Sequence, residues 1–534
     1  MLVNKYHFPF DTIREQQSQI IDELNKIPPE KKYIFLQCGT GIGKSALAVT
    51  MGKTAGKAYI VSTSKQLQDQ YVKDFSNKGL VTMKGRSNYP CFVLDDKSDC
   101  SKGPCIGLPE IKNSCKEHCS YYKQKELANK SQLFCTNYAF LLSSSDLKKR
   151  DLLVFDEAHN IENEIISFAT INIKPLRTLK KVKKTVTKDD YIFCTNISID
   201  STKDEIIDFV SVFSDKYVLP HIESLKGDIA LLNIEEKSSK IISALDHITK
   251  ELKLFESLYN KITIFNSRPE DYCFETLYDG DDFVIKLTPL NPSRILKTYT
   301  DRLANKVLFM SATILDFEIF AESLGISTDE SAFLSFESTF NPELSPIYNL
   351  SCVDLSYKNL NNKDEIDSLI KTIDFIVKQF PNDKGIIHTG NKTITDILYD
   401  HFFDDERFLF RIATIENQVI YNDHIISDKP TILVSSSMLE GVDLSDDLSR
   451  FQIVCKLPYL SLGDKRIKMK TEMNNKWYEL QMWQRLIQSC GRSTRSENDF
   501  SKTFILDRLF NRAFFNAKKR GILPQQFEKR IISK

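Results

Sequence analysis

The sequence predicts an α/β protein with two parallel sheets. Short apolar runs alternate with helical stretches, which is typical of parallel strands covered by helices on both faces. The runs form two groups, one ending near residue 310 and one starting near residue 385, so we expect two lobes. The candidate strands are 33–37, 58–63, 133–137, 152–155, 306–310, 385–389, 431–435, 451–455 and 503–507.

Length and composition agree with a globular, multidomain protein. At 534 residues the chain is too long for one core, and 41% hydrophobic with 27% charged residues is ordinary for globular proteins. Lys+Arg and Asp+Glu both number 72, so the net charge is zero and any DNA binding has to come from local basic surfaces. The N-terminus lacks the apolar core of a signal peptide, and no apolar run is long enough to span a bilayer. We therefore expect an intracellular protein without membrane contact.

A glycine-rich phosphate-binding loop is predicted between the first strand and a helix. Its glycines let backbone N–H groups turn toward phosphate oxygens, at the positive end of the following helix. Lys44 is expected to reach the β- and γ-phosphates of ATP, and the Ser45 hydroxyl to bind Mg²⁺. The strict pattern has a glycine where this chain has Cys38. The loop comprises Gly39, Thr40, Gly41, Ile42, Gly43, Lys44 and Ser45.

An acidic pair follows the apolar run 152–155. Side chains after such a strand project beyond the carboxyl edge of the sheet, where ligands of α/β proteins bind. Asp156 is expected to hold Mg²⁺ through water, and Glu157 to orient or deprotonate the attacking water. An isolated Asp-Glu pair also fits a solvated turn, but after a phosphate loop it indicates ATP hydrolysis.

The C-terminal lobe contributes a pattern of Gln488, Gly491, Arg492 and Arg495. The two arginines are three positions apart, so a helix presents them on one face. Two guanidinium groups directed at the γ-phosphate across a cleft act as arginine fingers, which stabilise transition-state charge when the lobes close. The alternative is a solvated basic helix surface.

These motifs, in this order, resemble the superfamily-2 DNA helicases of the XPD/DinG type over nearly the whole chain. A small residue other than glycine at position 38 is common in superfamily-2 helicases. The matching segments are 14–17 (Arg-Glu-Gln-Gln), 62–67 (Ser-Thr-Ser-Lys-Gln-Leu), 84–91 (Lys-Gly-Arg-Ser-Asn-Tyr-Pro-Cys), 156–159 (Asp-Glu-Ala-His, the DEAH box), 311–313 (Ser-Ala-Thr), 439–443 (Leu-Glu-Gly-Val-Asp) and 488–495.

The resemblance implies roles for further residues. Gln17 would read adenine, the segment 62–67 would touch the DNA backbone, and the segment 311–313 would couple hydrolysis to DNA contact. His159, Gln488 and Asp443 match family motifs of the ATP site. The resemblance also implies 5′→3′ translocation on single-stranded DNA.

The resemblance further implies two RecA-like lobes, with the first interrupted by an iron–sulfur domain and a helical, arch-like insertion. Apolar residues at alternating steps of four and three between Ile241 and Tyr259 independently predict one long packed helix in that insertion. The expected divisions are 1–84, 136–173 and 288–330 for the first lobe, 85–135 for the iron–sulfur domain, 174–287 for the insertion and 331–534 for the second lobe.

Six of the twelve cysteines lie between the phosphate loop and the acidic pair, and five of them fall within residues 91–119. Clustered thiols in a reducing compartment favour metal binding, and four thiolates suit either zinc or a [4Fe–4S] cluster. The paired Cys-x-x-Cys knuckles typical of zinc are missing, and the resemblance implies [4Fe–4S]. The sequence contexts of Cys91 and Cys119 resemble those of the family's ligands, and we take Cys105 and Cys115 as the middle pair, with Cys100 as an alternative. Five unrelated structural thiols remain the other interpretation, and Cys135, inside a strand, is expected in the core.

The leading hypothesis is an ATP-dependent DNA helicase that uses ATP, Mg²⁺ and a [4Fe–4S] cluster and acts on single-stranded and forked DNA. A translocase that remodels protein–DNA complexes without processive unwinding is one alternative. A catalytically inactive nucleic-acid-binding scaffold is the second, and intact Lys44, Asp156 and Glu157 argue against it. Usage rich in lysine, isoleucine and asparagine is typical of an AT-rich genome and suggests a bacterial or viral origin.

Overall fold

A computed structural model describes residues 3–93, 98–106, 113–233, 239–410, 417–436, 444, 446–493 and 498–533. All nine predicted strands are present, each within about two residues of its expected bounds at either end. The strands are β1 Tyr33–Cys38, β2 Ala58–Ser62, β3 Leu80–Thr82, β4 Leu133–Asn137, β5 Arg150–Asp156, β6 Ile171–Ile173, β7 Tyr272–Asp279, β8 Asp282–Pro289, β9 Ala304–Ser311, β10 Ser331–Phe336, β11 Ile347–Val353, β12 Gly385–His388, β13 Phe408–Phe410, β14 Ile432–Ser435, β15 Phe451–Val454, β16 Lys502–Asp507 and β17 Ile531–Ser533.

Helices alternate with these strands, as the pattern of apolar runs predicts. They are α1 Glu15–Lys26, α2 Lys44–Ala55, α3 Lys65–Phe75, α4 Ser120–Lys130, α5 Tyr138–Ser143, α6 Ile161–Ala169, α7 Pro175–Val182, α8 Lys188–Thr195, α9 Lys203–Phe213, α10 Leu219–Leu232, α11 Ser239–Ser267, α12 Ser293–Leu303, α13 Phe317–Ser323, α14 Lys363–Lys378, α15 Lys392–Phe402, α16 Asn417–Ile426, α17 Lys465–Met473, α18 Asn475–Cys490, α19 Leu509–Arg520 and α20 Gln525–Arg530. In the described part of the chain, no helix combines the length and apolar character that crossing a membrane requires.

Two seven-stranded sheets form the two lobes. The first has the order β10-β1-β9-β5-β2-β4-β3 and the second β13-β14-β12-β15-β16-β11-β17. Neighbouring strands in both sheets are parallel. In the first sheet β9 lies between β1 and β5, so the phosphate loop and the acidic pair leave the sheet at the same edge. The predicted α/β class with two RecA-like lobes is confirmed.

The insertion is not wholly helical, which corrects one expectation. Strands β6, β8 and β7 form a three-stranded antiparallel sheet that packs with helices around a separate core. This sheet extends from residue 171 to residue 289, beyond the expected limits of 174–287. The long helix is present as the 29-residue α11, with Leu245 and Phe255 buried on its predicted apolar stripe. Sequence periodicity identified the helix but gave no signal for the short edge strand β6.

Two other expected boundaries also cut through strands of the first sheet. Strand β4 pairs with β2 and β3, so the boundary after residue 135 falls inside a strand. Strand β10 pairs in parallel with β1, although 331–534 was expected to belong to the second lobe. Strand β10 lies at the edge of the sheet, and most of its residues are half-buried. Its sequence therefore lacks the continuous apolar run that marks the central parallel strands.

A buried charged cluster joins the lobes beside the cleft. Glu162 on α6 of the first lobe contacts Arg466 and Lys470 on α17 and accepts a 2.9 Å hydrogen bond from Trp477 Nε1 on α18. All four side chains are almost fully buried. Because a buried carboxylate needs partners, this cluster fixes α17 and α18 against the first lobe and so positions the end of α18 at the cleft.

Candidate ATP site and cysteine cluster

The phosphate loop connects β1 to α2 at the carboxyl edge of the first sheet. Gly41 and Gly43 have φ of +84° and +89°, a left-handed conformation that favours glycine. A side chain at Gly41 would collide with the ring of Phe340, which packs directly on the loop. Gly43 caps the N-terminus of α2, so Lys44 and Ser45 lie in its first turn. The loop therefore has the backbone conformation and helix position of an anion site.

A cavity of about 620 Å³ opens above this loop. Residues of both lobes line it: the first contributes the loop and the acidic motif, and the second contributes the end of α18. The lining includes Gly39, Thr40, Gly41, Gly43, Lys44, Ser45, Asp156, Glu157, His159, Thr313, Gln488, Gly491 and Arg492. Sequence motifs almost 450 positions apart are thus brought to one cleft.

Asp156 ends β5 and is buried at the base of the cleft. Its Oδ2 accepts a 2.8 Å hydrogen bond from the Tyr71 hydroxyl, and its Oδ1 accepts one of 3.0 Å from the backbone N–H of Glu157. Burial, reinforced by the charge of Glu157, raises the pKa of Asp156 to about 6. A cation would offset this desolvation, so the carboxylate fits a Mg²⁺ site in its donor chemistry.

Glu157 is the first residue after β5 and has φ of +49°, a strained backbone for a non-glycine residue. Its carboxylate Oε2 lies 3.3 Å from Nδ1 of His159. Strain of this kind persists only where the surrounding structure enforces it, and here it turns Glu157 into the cleft rather than along the strand.

A hydrogen-bonded path leads from the acidic motif to the second lobe. His159 Nδ1 lies 2.9 Å from the Ser311 hydroxyl at the end of β9. The same hydroxyl accepts from the backbone N–H of Thr313, and Thr313 Oγ1 accepts a 2.8 Å bond from the Gln488 amide on α18. Residues from three predicted motifs therefore form one chain of polar contacts between the lobes.

Gln17 has a different environment from the one its expected role suggests. Its side-chain amide donates to the Ile42 carbonyl at 2.8 Å, and its oxygen accepts from the backbone N–H of Arg14 at 3.0 Å. The Arg14 guanidinium donates to the Gly41 carbonyl at 2.7 Å. Gln17 thus stabilises the phosphate loop through its contact with the Ile42 carbonyl. Contact between Gln17 and adenine stays a prediction.

Two of the expected site residues, Asp443 and Arg495, lie outside the described residues. Arg492, by contrast, is described and faces the cavity. The pairing of the two arginine fingers on one helix face is therefore still a prediction.

Sequence reasoning missed several residues of the cleft. Tyr71, Ser338 and Phe340 contact the acidic motif or the phosphate loop, and Arg530 on α20 lines the cavity. Tyr71 falls on the buried face of α3, where an aromatic residue has the spacing of ordinary core. The others follow β10 or belong to the last helix, and no motif marks them.

The five cysteines between β3 and α4 converge in space. All are buried and share one apolar cluster, whereas Cys135 belongs to the core on the other face of the sheet, as predicted. Cys100 Sγ lies 3.7 Å from Cys119 Sγ. A methyl group at Gly103 would lie 3.3 Å from Cys91 Sγ and 3.5 Å from Cys105 Sγ, so this glycine separates two sulfurs.

The electrostatics of this cluster favour a cation. Burial, together with the neighbouring sulfurs, raises the pKa of Cys100 to about 12 and of Cys115 to about 11. Thiolates so close together are stable only when a metal takes the place of their protons. The donor set suits a four-thiolate metal group in type and number. Within the described ranges, however, no three His, Cys, Asp or Glu side chains have the geometry of a preformed metal site.

Fold and cleft together define a class of protein. Two parallel-sheet lobes with a phosphate loop and an acidic pair on one side and an arginine on the other form a two-lobed ATPase. Family models place it further: DEAD_2 matches residues 14–177, and a helicase C-terminal domain matches residues 401–526.

Relatives with curated functions have low identity but long coverage. The ATP-dependent DNA helicase YoaA of Haemophilus influenzae is 21% identical over 86% of this chain and 84% of its own length. The probable ATP-dependent helicase MJ0942 of Methanocaldococcus jannaschii is 21% identical over 95% of this chain and 93% of its own. A solved XPD helicase structure superposes with a TM-score of 0.66 at 14% identity, covering 98% of this chain and all of that one.

The chain belongs to the XPD/DinG-type superfamily-2 DNA helicases, and it is an ATP-hydrolysing enzyme of that class. The resemblance stated from the motifs is confirmed.

Proposed function

We propose that the chain is a 5′→3′ DNA helicase that translocates on single-stranded DNA and unwinds forked duplexes. The observation that carries the proposal is the polar path His159–Ser311–Thr313–Gln488, because it links the acidic motif to the second lobe. A change in the acidic motif during hydrolysis therefore has a direct route to lobe movement. The names of the relatives support DNA as the substrate. A protein that acts on DNA is expected inside the cell.

In this proposal the phosphate loop and Lys44 bind the ATP phosphates. Ser45 and Asp156 hold Mg²⁺, which neutralises charge on the phosphates when bound. Glu157 orients the attacking water or takes its proton, and its contact with His159 fixes its direction. Arg492 and Arg495 stabilise the charge of the transition state when the cleft closes.

We further propose that Cys91, Cys105, Cys115 and Cys119 hold a [4Fe–4S] cluster. Cys100 stays the alternative ligand, since its Sγ lies 3.2 Å from the Pro90 carbonyl oxygen and 3.7 Å from Cys119 Sγ. Such a cluster supplies rigid cross-linking to the segment that carries it. This segment also meets the insertion: Lys250 on α11 donates to the Lys102 carbonyl at 3.0 Å. We propose that this segment, together with the insertion that it contacts, acts as the wedge against a duplex.

Duplexes with a single tail test the proposal. With ATP, a duplex bearing a 5′ single-stranded tail should be unwound and one bearing a 3′ tail should not. Lys44→Ala protein provides the control for contaminating helicases. Unwinding only from the 3′ tail would overturn the polarity.

A second candidate function is a translocase that hydrolyses ATP in the same cleft. Such a translocase would displace proteins bound to single-stranded DNA but would leave forked duplexes intact. A chain that hydrolyses ATP with DNA and unwinds neither tailed duplex, yet clears roadblocks, would establish this alternative.

A further inference from the structure

Tyr71 occupies a position that the proposed mechanism does not use. It lies on the inner face of α3, only 1% exposed, and its hydroxyl donates to Asp156 Oδ2 at 2.8 Å. The phenolic oxygen therefore contacts one of the two residues that the sequence assigns to Mg²⁺.

The helix that carries Tyr71 is firmly held. Gln68, one turn before it, donates to Thr82 Oγ1 at 2.6 Å and to the Met83 carbonyl at 2.8 Å, and its oxygen accepts from Asn137 at 3.2 Å. The ring of Tyr71 packs against Phe75 with the centroids 5.8 Å apart. The hydroxyl is thus fixed from two sides, by polar anchors to β3 and β4 and by apolar packing.

A second feature is the start of this helix. Helix α3 begins at Lys65, directly after the segment 62–64, and Ser64 caps it by accepting from the backbone N–H of Leu67 at 3.1 Å. The segment 62–67 is the one whose resemblance implies contact with the DNA backbone. The same short helix therefore joins the segment implied to contact DNA, at its N-terminus, to the proposed Mg²⁺ ligand Asp156, which Tyr71 contacts from the second turn.

We propose that Tyr71 is a positioning residue for the Mg²⁺ site, holding the Asp156 carboxylate in the orientation that binds the cation. The proposal rests on the ATPase function proposed above. Outer partners of metal ligands orient the ligands and typically contribute about 10–100-fold in metal affinity or activity. Removing a single oxygen at position 71 should have an effect in that range.

Tyr71→Phe tests this, with Tyr59→Phe as a matched control. Both residues are buried tyrosines of the first lobe, and the Tyr59 hydroxyl donates at 2.7 Å to the Lys148 carbonyl. Phenylalanine keeps the ring packing, and thermal melting identifies a temperature at which both variants are folded. The Mg²⁺ concentration for half-maximal ATPase should rise about tenfold or more in Tyr71→Phe and stay at the parental value in Tyr59→Phe.

A binding measurement without turnover separates this proposal from the ATPase function. Mn²⁺ titrated into the full chain with ADP and followed by electron paramagnetic resonance should bind about tenfold more weakly to Tyr71→Phe than to the parent. Parental Mn²⁺ affinity and Mg²⁺ dependence in Tyr71→Phe would overturn the role of Tyr71. A parent protein that binds Mn²⁺·ADP but hydrolyses no ATP would instead contradict the proposed function. The role of Tyr71 would then be decided by the Mn²⁺ affinities of the parent and of Tyr71→Phe.

Discussion

The ATP cleft and the cysteine segment, residues 83–119, obtain their geometry from different sources. In the cleft, Lys44, Asp156 and Ser311 lie at or just beyond the carboxyl ends of three strands of one seven-stranded sheet. The backbone hydrogen bonds of that sheet fix the positions of the strand ends. In the described part of the cysteine segment, the regular structure consists of single turns and one isolated bridge between Pro90 and Asp99. Its buried interior is largely sulfur.

This difference predicts which part of the molecule would depend on the proposed metal cluster. The sheets of the lobes bury large apolar cores of their own. The cysteine segment is joined to α4 by the Arg86 guanidinium, which stacks 4.3 Å from the ring centroid of Tyr121 and donates to the Tyr122 hydroxyl at 3.1 Å. We expect the motor to fold and hydrolyse ATP without the cluster, and the cysteine segment to lose its order.

The largest effect on the cleft should come from Lys44→Ala. Without the ammonium group at the β- and γ-phosphates, ATP hydrolysis should fall to background, because no other lysine among the residues that the structure describes lines this cavity. Binding of single-stranded DNA, measured by fluorescence anisotropy, should stay close to parental. Lys53→Ala, at the last turn of the same helix, is the control that should keep its ATPase activity. Parental ATPase activity in Lys44→Ala would contradict the assignment of this cleft as the site of ATP hydrolysis.

Arg492→Ala should reduce kcat about 10³-fold while changing the KM for ATP little, because an arginine finger acts on the transition state. We expect the same of Arg495→Ala. Steady-state kinetics with saturating DNA measure both constants. Arg512→Ala, an exposed arginine of the same lobe, should be near-parental. Should the substitutions weaken ATP binding and spare kcat, the arginines would be ordinary binding groups.

In the cysteine segment, Cys91→Ser, Cys105→Ser, Cys115→Ser or Cys119→Ser should each bleach a brown, anaerobically purified protein and abolish unwinding. ATPase activity should fall by much less, about severalfold, because the motor has its own cores. Cys135→Ser, in the strand core, is the control that should keep its colour. Cys100→Ser should also stay brown.

Two outcomes would change this part of the account. Bleaching by Cys100→Ser but not by Cys105→Ser or Cys115→Ser would change the ligand set while retaining the cluster. Zinc in place of iron in anaerobic preparations would contradict the cluster itself.

The sequence predicted the cleft more completely than the cysteine segment, for a physical reason. A phosphate loop needs glycine, lysine and serine at fixed spacing on a strand–helix junction, so the local sequence of residues 39–45 is enough to predict it. Thiol ligands need only meet in space, and loop spacing leaves five candidates for four positions. Tyr71 and β10 escaped prediction because a core aromatic and an edge strand have no distinctive local pattern; only the tertiary structure gives them their roles.

The smallest effect should come from a basic stretch at the start of the insertion, which comprises Lys174, Arg177, Lys180, Lys181, Lys183, Lys184 and Lys188. The structure pairs Lys174 and Arg177 with Asp282 and pairs Lys183 with Asp190, which leaves Lys180, Lys181, Lys184 and Lys188 as the better candidates for phosphate contact. Lys180, Lys181 and Lys184 lie within residues 180–184. Replacing these three with glutamine should reduce the slope of log K against log salt by up to about 2 if all contact single-stranded DNA.

Substitution of Lys518 and Lys519, at the end of α19, is the comparison for a nonspecific charge effect. An unchanged slope in the three-lysine variant would make the stretch an ordinary solvated helix face.

ATP hydrolysis by the full chain with and without single-stranded DNA tests the central claim most directly. The account predicts a slow basal rate that rises severalfold or more when DNA is added, with Lys44→Ala protein inactive under both conditions. The polar path from His159 to Gln488 links the acidic motif to the second lobe, so a movement of the lobes on DNA binding should reach the acidic motif, and the stimulation should require an intact cleft. A hydrolysis rate that is the same with and without DNA would contradict the account.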